Sequence, residues 1–496
     1  MTATVELGAG SAAAAAERPA FNIPLIIRGK VIDAPVLQFG GRAGGATFFT
    51  ADVNTYLKEL VLDTPSALAD LYTLSSEDIL DYLHALGKAL EYDRNPHMRE
   101  ACELSYLSSG LSKETTLKFY KSVHRWFDRD FIRELTENGV GLDYLDGWVR
   151  KEMATGAIAH VRAFGARNIQ IISGNVPMVA ASSIIRNAMT RSDAIIKTPS
   201  NDPMTAAAIA RTMCEMAPDH PVTRHLTVAY WKGGNQAIED YLYRPDHIEK
   251  IIAWGGVGSI SHIAKYIQPG IDLITMDPKL SSSIIGEEAF ADEATMLGVA
   301  ERLAIDVACY NQQACANARV VYVRSGTDAA GIERLNRFGK MVYDAIQALP
   351  ASTSGPAQRL PSQLAEELQS LKIMSFDHKL IGGGPEGGVI VSQVPEPVDF
   401  QSILSDRVAN LVPVDDFEIP IQSVTAYTQT IGVYPDAVKE QIRDRLVFNG
   451  AQRITSLGYA MRAVMVGPHD GMEPYRRMCK WISDETQDPA VVPLHV

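Results

Sequence analysis

From Asn168 onward, apolar runs the length of strands alternate with stretches of helical periodicity, and this alternation limits the fold more than any other feature. The predicted strands are Asn168–Ser173, Asp193–Lys197, Leu226–Trp231, Ile248–Trp254 and Ile271–Met276. Helices are predicted between them over Val179–Met189, Met204–Met216, Gln236–Tyr243 and Ser259–Ile267. Five buried-type strands joined by four helices indicate a doubly wound parallel α/β sheet. Such sheets bind ligands beyond the carboxyl ends of their strands, so the residues after each strand are the first candidates for a site.

The stretches before this core suggest how the N-terminal half is organised. Residues 1–20 are rich in Ala and Gly and are expected to form a flexible tail. An edge hairpin is predicted at residues 23–32, and apolar residues spaced as on one helical face predict helices over residues 52–150. We therefore expect an N-terminal helical region and a Rossmann-like cofactor domain over residues 21–280.

A second α/β region follows, which we expect to be a catalytic domain over residues 281–470. Its pattern predicts three regular elements: a long helix over Glu287–Cys309, a strand over Arg319–Val323 and a helix over Ile332–Leu349. The run Gly382–Gly388 lacks the Lys-Ser/Thr of a phosphate loop, which favours a turn leading into a strand. Residues 471–496 are expected to form a C-terminal helix and tail.

Composition and charge exclude several classes of protein. Of the 496 residues, 46% are hydrophobic and 21% are charged, as in ordinary globular chains. Lys and Arg total 46 against 59 Asp and Glu, a net charge of −13 without a basic cluster, so no nucleic-acid partner is expected. No apolar run approaches the roughly 18 residues of a membrane span, and the N-terminus does not have the pattern of a signal peptide. The five cysteines are odd in number and form no Cys-x-x-Cys motif, which points to a reducing, cytoplasmic environment.

Three strand ends carry residues suited to a cofactor or an oxyanion. Asn175 follows the first strand in a Gly-Asn-x-Pro turn, where its amide can donate to an oxyanion or can cap the next helix. Lys197 ends the second strand, where a lysine can hold a ribose or a phosphate or can simply face solvent. Gly255, Gly256 and Ser259 follow the fourth strand and open a helix, the setting of a pyrophosphate site, although glycine also serves the sterics of such turns.

Cys315 is the candidate nucleophile. It lies in a polar connection between a predicted helix and a predicted strand, with small neighbours that leave its sulfur accessible. The other four cysteines lie in helical stretches, where core packing is the expected role. Gln312 and His469 are accessory candidates, the latter in a polar turn that could face a cleft or could be an ordinary loop. The histidines show no metal-ligand spacing, so no metal is expected.

The chain order of these elements resembles that of the aldehyde dehydrogenase superfamily. That superfamily carries an Asn-x-Pro turn, a Lys-Pro-Ser turn, a Gly-rich strand-to-helix turn and then a Cys preceded by Gln. Within it, the chain more closely resembles the LuxC-type acyl-CoA reductases, the fatty-acid reductase component of bacterial bioluminescence. The closer resemblance rests on Asn311–Cys315, Arg453–Gly458, Pro468–Pro474 and the following Arg476–Met478. It implies an aldehyde-dehydrogenase-like α/β fold, a nucleophilic Cys315, an oxyanion donor Asn175 and a cofactor site at Lys197, Ser200, Gly255, Gly256 and Ser259.

One departure from ordinary aldehyde dehydrogenases concerns hydrolysis. Those enzymes carry a Glu that activates the water attacking their thioester intermediate. The matching position here is Thr275, which cannot act as a base at neutral pH, and Asp277 lies two positions along. An enzyme without that base is expected to hydrolyse its acyl-enzyme poorly, which suits a reductase because its acyl group must survive until hydride arrives.

A second departure concerns the cofactor. Ser200 or Asn201 stands where NAD-preferring relatives often place a Glu that binds the adenosine ribose. A neutral residue there removes a carboxylate that would repel a 2′-phosphate and, with Lys197 adjacent, favours NADPH. NADH is the alternative, because Asp202 is close by.

The resemblance therefore implies NADPH-dependent reduction of an acyl thioester, carried by CoA or a carrier protein, to an aldehyde through an acyl-Cys315 intermediate. Two alternatives stay open: an NAD(P)-dependent aldehyde dehydrogenase oxidising a free aldehyde to the acid, and a redox-inactive acyl-transfer or acyl-binding protein. The resemblance also implies a homo-oligomer, dimer or tetramer, and offers an acyl-protein synthetase as a partner. It does not fix the acyl chain.

Overall fold

The computed structural model describes residues 20–40, 46–154, 156–277, 279–374, 376–462 and 467–486. The tail expected over residues 1–20 lies outside these ranges except for Ala20, which begins the first strand. The last ten residues of the expected C-terminal tail also lie outside them.

Five short strands open the described chain. They are β1 (Ala20–Ile23), β2 (Leu25–Ile27), β3 (Lys30–Ile32), β4 (Leu37–Gly40) and β5 (Thr47–Thr50). The antiparallel pair β2–β3 is the predicted edge hairpin, and it joins the margin of the first large sheet through β2. Strands β1, β5 and β4 form a separate three-stranded sheet.

The predicted helical region consists of six α-helices with short 3-10 segments between them. The helices are α1 (Leu57–Leu60), α2 (Ser76–Ala89), α3 (Pro96–Ser108), α4 (Lys113–Ser122), α5 (Arg129–Gly139) and α6 (Leu142–Asp146). A capping box sets the start of α2, because Ser75 accepts from the N–H of Asp78 while the Asp78 carboxylate accepts from the N–H of Ser75. The apolar faces of these helices share one continuous core with the helices that cover the first sheet.

The first large sheet confirms the doubly wound prediction. After β6 (Val149–Glu152) and β7 (Ile158–Phe164), the chain alternates through β8 (Arg167–Ile171), α7 (Met178–Met189), β9 (Asp193–Lys197), α8 (Thr205–Met216), α9 (Pro221–Arg224), β10 (Leu226–Ala229), α10 (Gln236–Leu242), β11 (Lys250–Trp254), α11 (Val257–Ala264) and β12 (Asp272–Met276). The strand order is β12-β11-β8-β9-β10-β2-β3, and the first five strands are parallel. The order reverses between β8 and β11, which places the ligand crevice above that pair.

The second large sheet is also mostly parallel. Its elements are β13 (Leu280–Ile285), α12 (Glu293–Ala308), β14 (Ala318–Val323), α13 (Ala329–Ala348), α14 (Ser362–Met374), β15 (His378–Gly384), β16 (Gly387–Ser392), β17 (Val408–Pro413), α15 (Glu418–Gln422), β18 (Thr428–Tyr434), α16 (Asp436–Phe448) and β19 (Arg453–Ser456). The strand order is β15-β16-β17-β14-β13-β18-β19, and only the β15–β16 pair is antiparallel. Within the described residues, no helix combines the length and apolar character needed to cross a bilayer.

In this region one prediction needs adjustment and another is confirmed. The long helix predicted over Glu287–Cys309 is a 3-10 turn at Glu287–Phe290 followed by α12, because Asp292 breaks the run and caps the new helix by accepting from the N–H of Thr295 at 2.7 Å. The Gly-rich run forms the β15–β16 hairpin, so the predicted turn into a strand is confirmed. Two features require glycine at position 387. Its φ of 95° lies in the left-handed region, and a Cβ there would lie 2.6 Å from the backbone oxygen of Arg407.

A further three-stranded sheet, near the end of the described chain, was not predicted. After the short helix α17 (Pro474–Met478), the chain forms β20 (Lys480–Thr486), which pairs with β7 in a sheet of order β20-β7-β6. The expected C-terminal helix and tail therefore contains a seven-residue strand. Its residues after Ile482 are polar and exposed, so the sequence shows none of the apolar runs on which strand prediction depends.

Candidate active site

The predicted cofactor turns meet at one edge of the first sheet. Ile171 of β8 pairs with Lys197 of β9 on one side and with Ala253 of β11 on the other. Lys197 at the end of β9 and the turns after β8 and β11, which carry Asn175 and Gly255, therefore lie at the same edge of the sheet. They lie where the strand order reverses, as expected for a ligand crevice.

Lys197 is enclosed at this edge. Its Nζ lies 5.5 Å from the centre of the Trp231 ring, and burial lowers the pKa of the ammonium group to about 8. Glu239 partly opposes that shift, but its carboxylate already accepts from His262 at 2.7 Å and from the N–H of Gly234 at 3.0 Å. Within the described residues Lys197 has no ion-pair partner, so its charge is free for an anionic ligand.

The glycine turn leaves room for a phosphate group. Gly256 directly precedes α11, and a Cβ at Gly256 or Gly258 would meet nothing within 4 Å. A Cβ at Gly255 would lie 3.0 Å from the Cβ of Ser259. The first N–H groups of α11 thus open onto free space at the crevice, an arrangement that fits a phosphate-bearing cofactor.

Asp202 does not face this crevice. Its carboxylate is 5% exposed and caps α8, accepting from the Thr205 N–H at 3.1 Å and from the Thr205 hydroxyl at 2.6 Å. Burial raises the pKa of Asp202 to about 6. Ser200, half-buried, is left as the small neutral residue near the strand end.

Cys315 is the one exposed cysteine of the five, all of which lie in described residues. Its thiol opens into a cavity of about 280 Å³. The Ser281 hydroxyl donates to the Cys315 carbonyl at 2.7 Å and accepts from the Thr430 N–H at 3.1 Å, so strands β13 and β18 fix the backbone at the nucleophile.

The loop before the cysteine has an unusual backbone. Tyr310, Asn311 and Gln312 are three successive non-glycine residues in the left-handed region, with φ of 57°, 51° and 61°. Asparagine tolerates this region, whereas tyrosine and glutamine do so only when their surroundings impose it. The strain lies in the loop directly ahead of Cys315.

Buried amide side chains hold that loop. Gln312, 1% exposed, donates to the carbonyls of Ala318 and Val408 at 3.0 and 2.9 Å and accepts from the Val408 N–H at 2.9 Å. Asn317 donates to the Cys309 carbonyl at 3.0 Å. Gln312 does not line the cavity, so it is connected to Cys315 only through the backbone of the loop.

Asn175 links the two halves of the site. Its Nδ2 donates to the carbonyl of Gln313 at 3.2 Å, two residues before the nucleophile. The side chain is exposed and its second amide hydrogen has no acceptor among the described residues. The alternative role as a helix cap is not seen, because no side chain caps α7.

Residues from three separate stretches of the chain line the cavity beside Cys315. Its walls include Trp126 and Leu135 from the helical region, Ser182, Ile185 and Arg186 from α7, and Tyr310, Gln429, Thr430, Arg453, Met461, His469, Asp470, Glu473 and Tyr475 from the later chain. His469 thus does face a cleft. Sequence reasoning missed Arg186, Gln429 and Asp470 as cavity residues, because their partners lie far away in the chain. For Asp470, the following glycine indicates a tight turn, which was the one local signal.

Electrostatics set the resting state of the site. The Cys315 thiol reaches solvent through the cavity, but the protein atoms around it desolvate the thiolate and raise the pKa of Cys315. The charge of Asp470 is a second cause, and the neighbouring Gln429 side chain opposes the shift. Burial lowers the pKa of His469, against the pull of Asp470. The His469 ring lies 5.5 Å from the ring of Trp254, which joins the cavity to the end of β11.

The residues at the position of the hydrolytic base lie elsewhere. Thr275 is in β12, paired with Ala253, and Asp277 forms a 3.8 Å ion pair with Lys279. Neither lines the cavity of Cys315. In the part of the chain that the structure describes, no group of three His, Cys, Asp or Glu side chains is arranged to hold a metal ion.

Comparison with known proteins then decides the family. The family model described as acyl-CoA reductase (LuxC) matches residues 71–481. The chain belongs to the LuxC family of acyl-CoA reductases. This LuxC-family protein is therefore an oxidoreductase that acts on acyl groups.

Relatives and solved structures agree with this assignment. The long-chain acyl-protein thioester reductase of Photorhabdus luminescens is 30% identical over 428 residues, covering 83% of this chain and 82% of that protein. Its namesake in Vibrio harveyi is 28% identical over 491 residues, covering 94% and 93%. Among solved structures, aldehyde dehydrogenase 21 of Physcomitrella patens superposes with a TM-score of 0.72 at 12% identity, covering 96% of this chain and 100% of that one. The expected aldehyde-dehydrogenase-like fold is confirmed.

Proposed function

We propose that this LuxC-family enzyme reduces an acyl thioester to the aldehyde with NADPH, through an acyl group carried on Cys315. The observation that carries the proposal is the single exposed cysteine, which opens into a cavity next to a strand-end crevice shaped for a phosphate-bearing cofactor. The names of the relatives, long-chain acyl-protein thioester reductases, support the same reaction class.

Cys315 is the nucleophile. Its thiolate forms a bond to the acyl carbon, and the carbon–sulfur bond of the donor breaks to release a thiolate, which takes up the proton that Cys315 lost. Asn175 and the Cys315 N–H donate to the tetrahedral oxyanion, and one such donor typically contributes about 3–4 kcal/mol. Loss of the Cys315 sulfur from the reduced intermediate needs no strong base, since thiolate is a good leaving group.

The cofactor is held by the strand-end turns. Lys197, Ser200 and the α11 turn at Gly255, Gly256 and Ser259 would bind its ribose and phosphates. When bound, NADPH supplies the hydride that reduces the acyl carbon. The Asp202 carboxylate is engaged by Thr205, so Ser200 and Lys197 are the residues that would hold a 2′-phosphate, which supports NADPH over NADH.

The residues at the position of the hydrolytic base support reduction over oxidation to the acid. Thr275 and Asp277 lie outside the cavity of Cys315, so neither is available to activate water against the acyl-Cys315. The donor is proposed to be an acyl-CoA or an acyl-carrier thioester, with an acyl-protein synthetase as partner.

A cytoplasmic location is supported by the five free cysteines. A dimer or tetramer is proposed from the family resemblance, and sedimentation velocity measures it.

The deciding experiment is intact-protein mass spectrometry after mixing with a panel of acyl-CoAs without NADPH. We expect one thioester to add its acyl mass at Cys315, and NADPH to discharge the adduct as aldehyde. Cys315→Ala should form no adduct, while the matched control Cys214→Ala, at a core position, should form it as the wild type does. Aldehyde formation by Cys315→Ala, or discharge of the wild-type adduct as acid, contradicts the proposal.

A further inference from the structure

A hydrogen-bonded pair of side chains lies beside the nucleophile and takes no part in the steps above. Gln429, at the start of β18, is 6% exposed, and its Nε2 donates to Oδ1 of Asp470 at 2.7 Å. Both residues line the cavity of Cys315. The Ser281 hydroxyl bonds both the Cys315 carbonyl and the N–H of Thr430, which places Gln429, the residue before Thr430, next to Cys315. The Gln429 amide also lowers the pKa of the Cys315 thiol. One amide therefore lies beside the reacting sulfur and holds a buried carboxylate.

Asp470 decides which end of that amide faces the sulfur. A carboxylate only accepts hydrogen bonds, so it must be met by the NH₂ end of Gln429. The second N–H on the same nitrogen is then left for Cys315. If the carboxylate were absent, the amide could turn and present its oxygen, which gives a thiolate no hydrogen bond.

The backbone holds Asp470 in place. The residue has a φ of 52° and is followed by Gly471 with a φ of 72°. His469 and Met472 close this turn with two backbone hydrogen bonds of 2.8 and 3.0 Å. The Asp470 side chain is only 4% exposed. A left-handed turn that places a buried carboxylate against the Gln429 amide at 2.7 Å and the His469 ring at 3.7 Å indicates a function for the Gln429–Asp470 pair.

We propose that Gln429 is a catalytic residue that donates an amide N–H to the Cys315 sulfur, and that Asp470 is the residue that positions this amide. The inference rests on the proposed role of Cys315 as the nucleophile. It adds a donor that stabilises the thiolate before attack and again when the aldehyde leaves.

Other charged groups act on the same site. Arg319 and Arg453 are within electrostatic reach of Cys315, while Arg186 and His469 face Asp470. Asp470 itself acts on Cys315 in two opposite ways: its charge disfavours the thiolate, and its hold on the amide favours it. Variants that separate charge from positioning are therefore needed.

The test measures the rate of Cys315 alkylation by iodoacetamide against pH, read on the Cys315 peptide by mass spectrometry. Only the thiolate reacts, so the midpoint of the profile gives the pKa of Cys315. Gln429→Met keeps the shape and removes the donor, and we expect alkylation at pH 7 to fall about tenfold, as for loss of a hydrogen bond to a charged group. Gln347→Met, a glutamine on the exposed side of α13, is the matched control and should react as the wild type does.

Two variants of Asp470 isolate its positioning role. Asp470→Asn and Asp470→Ala remove the same charge, but only Asn can still accept from the amide. We expect Asp470→Asn to alkylate faster than Asp470→Ala, and we expect this difference to vanish when Gln429→Met is also present. Equal rates for the two single variants, or a wild-type profile for Gln429→Met, would overturn the proposal.

Alkylation needs neither thioester nor NADPH, so this test stands apart from the proposed function. If wild-type Cys315 takes up no acyl group, the reductase proposal fails while the pKa measurement remains valid. If the acyl adduct forms but the profile is insensitive to Gln429, only the present inference fails. Should Gln429→Met not fold, the contrast between the two Asp470 variants still decides.

Discussion

At the scale of single residues, Lys197 should make cofactor binding depend on pH. Burial lowers its pKa to about 8, so the free enzyme carries this cation below pH 8 and loses it above. We expect the Kd for NADPH, measured by fluorescence titration without substrate, to rise between pH 7 and pH 9.5. Lys197→Met should bind NADPH about tenfold more weakly than the wild type at pH 7, in line with loss of a charge-assisted hydrogen bond. Its Kd should rise little more between pH 7 and pH 9.5.

The control for this prediction is Lys372→Met, which removes an exposed lysine on α14 in the other half of the chain. It should bind NADPH as the wild type does at both pH values. A Lys197→Met variant that retained the wild-type pH profile would mean that another group holds the phosphates.

Single residues also show where sequence reasoning reaches its limit. The prediction of Cys315 rests on a polar, small-residue context that is local in the sequence, and the prediction of the turn at Gly255 is equally local. Gln429 and Asp470 lie 41 positions apart, and only the fold brings their side chains together. Gln312 has a local context identical in kind to that of a site residue, yet its amide is turned inward to hold the backbone.

At the scale of elements, helix α12 anchors the segment that follows β19. Asp306 of α12 is fully buried, and its carboxylate accepts from the Gly458 N–H at 2.7 Å and the Ala460 N–H at 3.0 Å. Asp306→Ala leaves both N–H groups without that acceptor, and we expect the free energy of unfolding to fall by about 2–6 kcal/mol. The urea midpoint measures this, with the exposed Asp444→Ala as a control that should change it little.

The same carboxylate gives this contact a pH dependence of defined sign. Burial raises the pKa of Asp306 to about 6, above its value in the unfolded chain. Its contribution to stability is therefore largest at low pH and declines as the pH rises through 6. The gap in urea midpoint between wild type and Asp306→Ala should be wider at pH 5 than at pH 7.5. A gap that widened toward pH 7.5 would contradict the burial of an ionisable carboxyl here.

Elements differ in how well the sequence predicts them, and the reason is burial. Strands β8 and β9 are almost entirely buried and rich in isoleucine, and they were predicted within two residues. Strands β6 and β20 are mostly exposed and polar, and they are held by pairing with β7 rather than by an apolar face. Polar, exposed strands show no apolar pattern, and β20 pairs with β7 across more than 300 residues of chain, which is why the sheet β20-β7-β6 was missed.

At the scale of the whole molecule, the substrate cavity is built jointly by parts that lie far apart in the sequence. The helical region, α7 of the first sheet and the loops of the second sheet each supply walls. Cys315 comes from the second α/β region, and apolar walls come from the helical region and α7 as well as from that region. Acyl-chain selectivity should therefore be adjustable from helices that carry no chemical motif.

Ile185 tests this arrangement. It is 1% exposed, lies on α7 and lines the cavity, so Ile185→Phe should occupy space that a long acyl chain needs. We expect kcat/KM for a long-chain acyl-CoA to fall at least tenfold relative to that for a short-chain one, since a single methylene in an apolar pocket is typically worth about 1–3 kcal/mol. Leu297→Phe, at a position 47% exposed on α12, should leave the ratio unchanged. An equal loss for both chain lengths would mean that the introduced ring disturbs the nucleophile, and no loss would place the acyl chain along another wall, toward Trp126 or Met461.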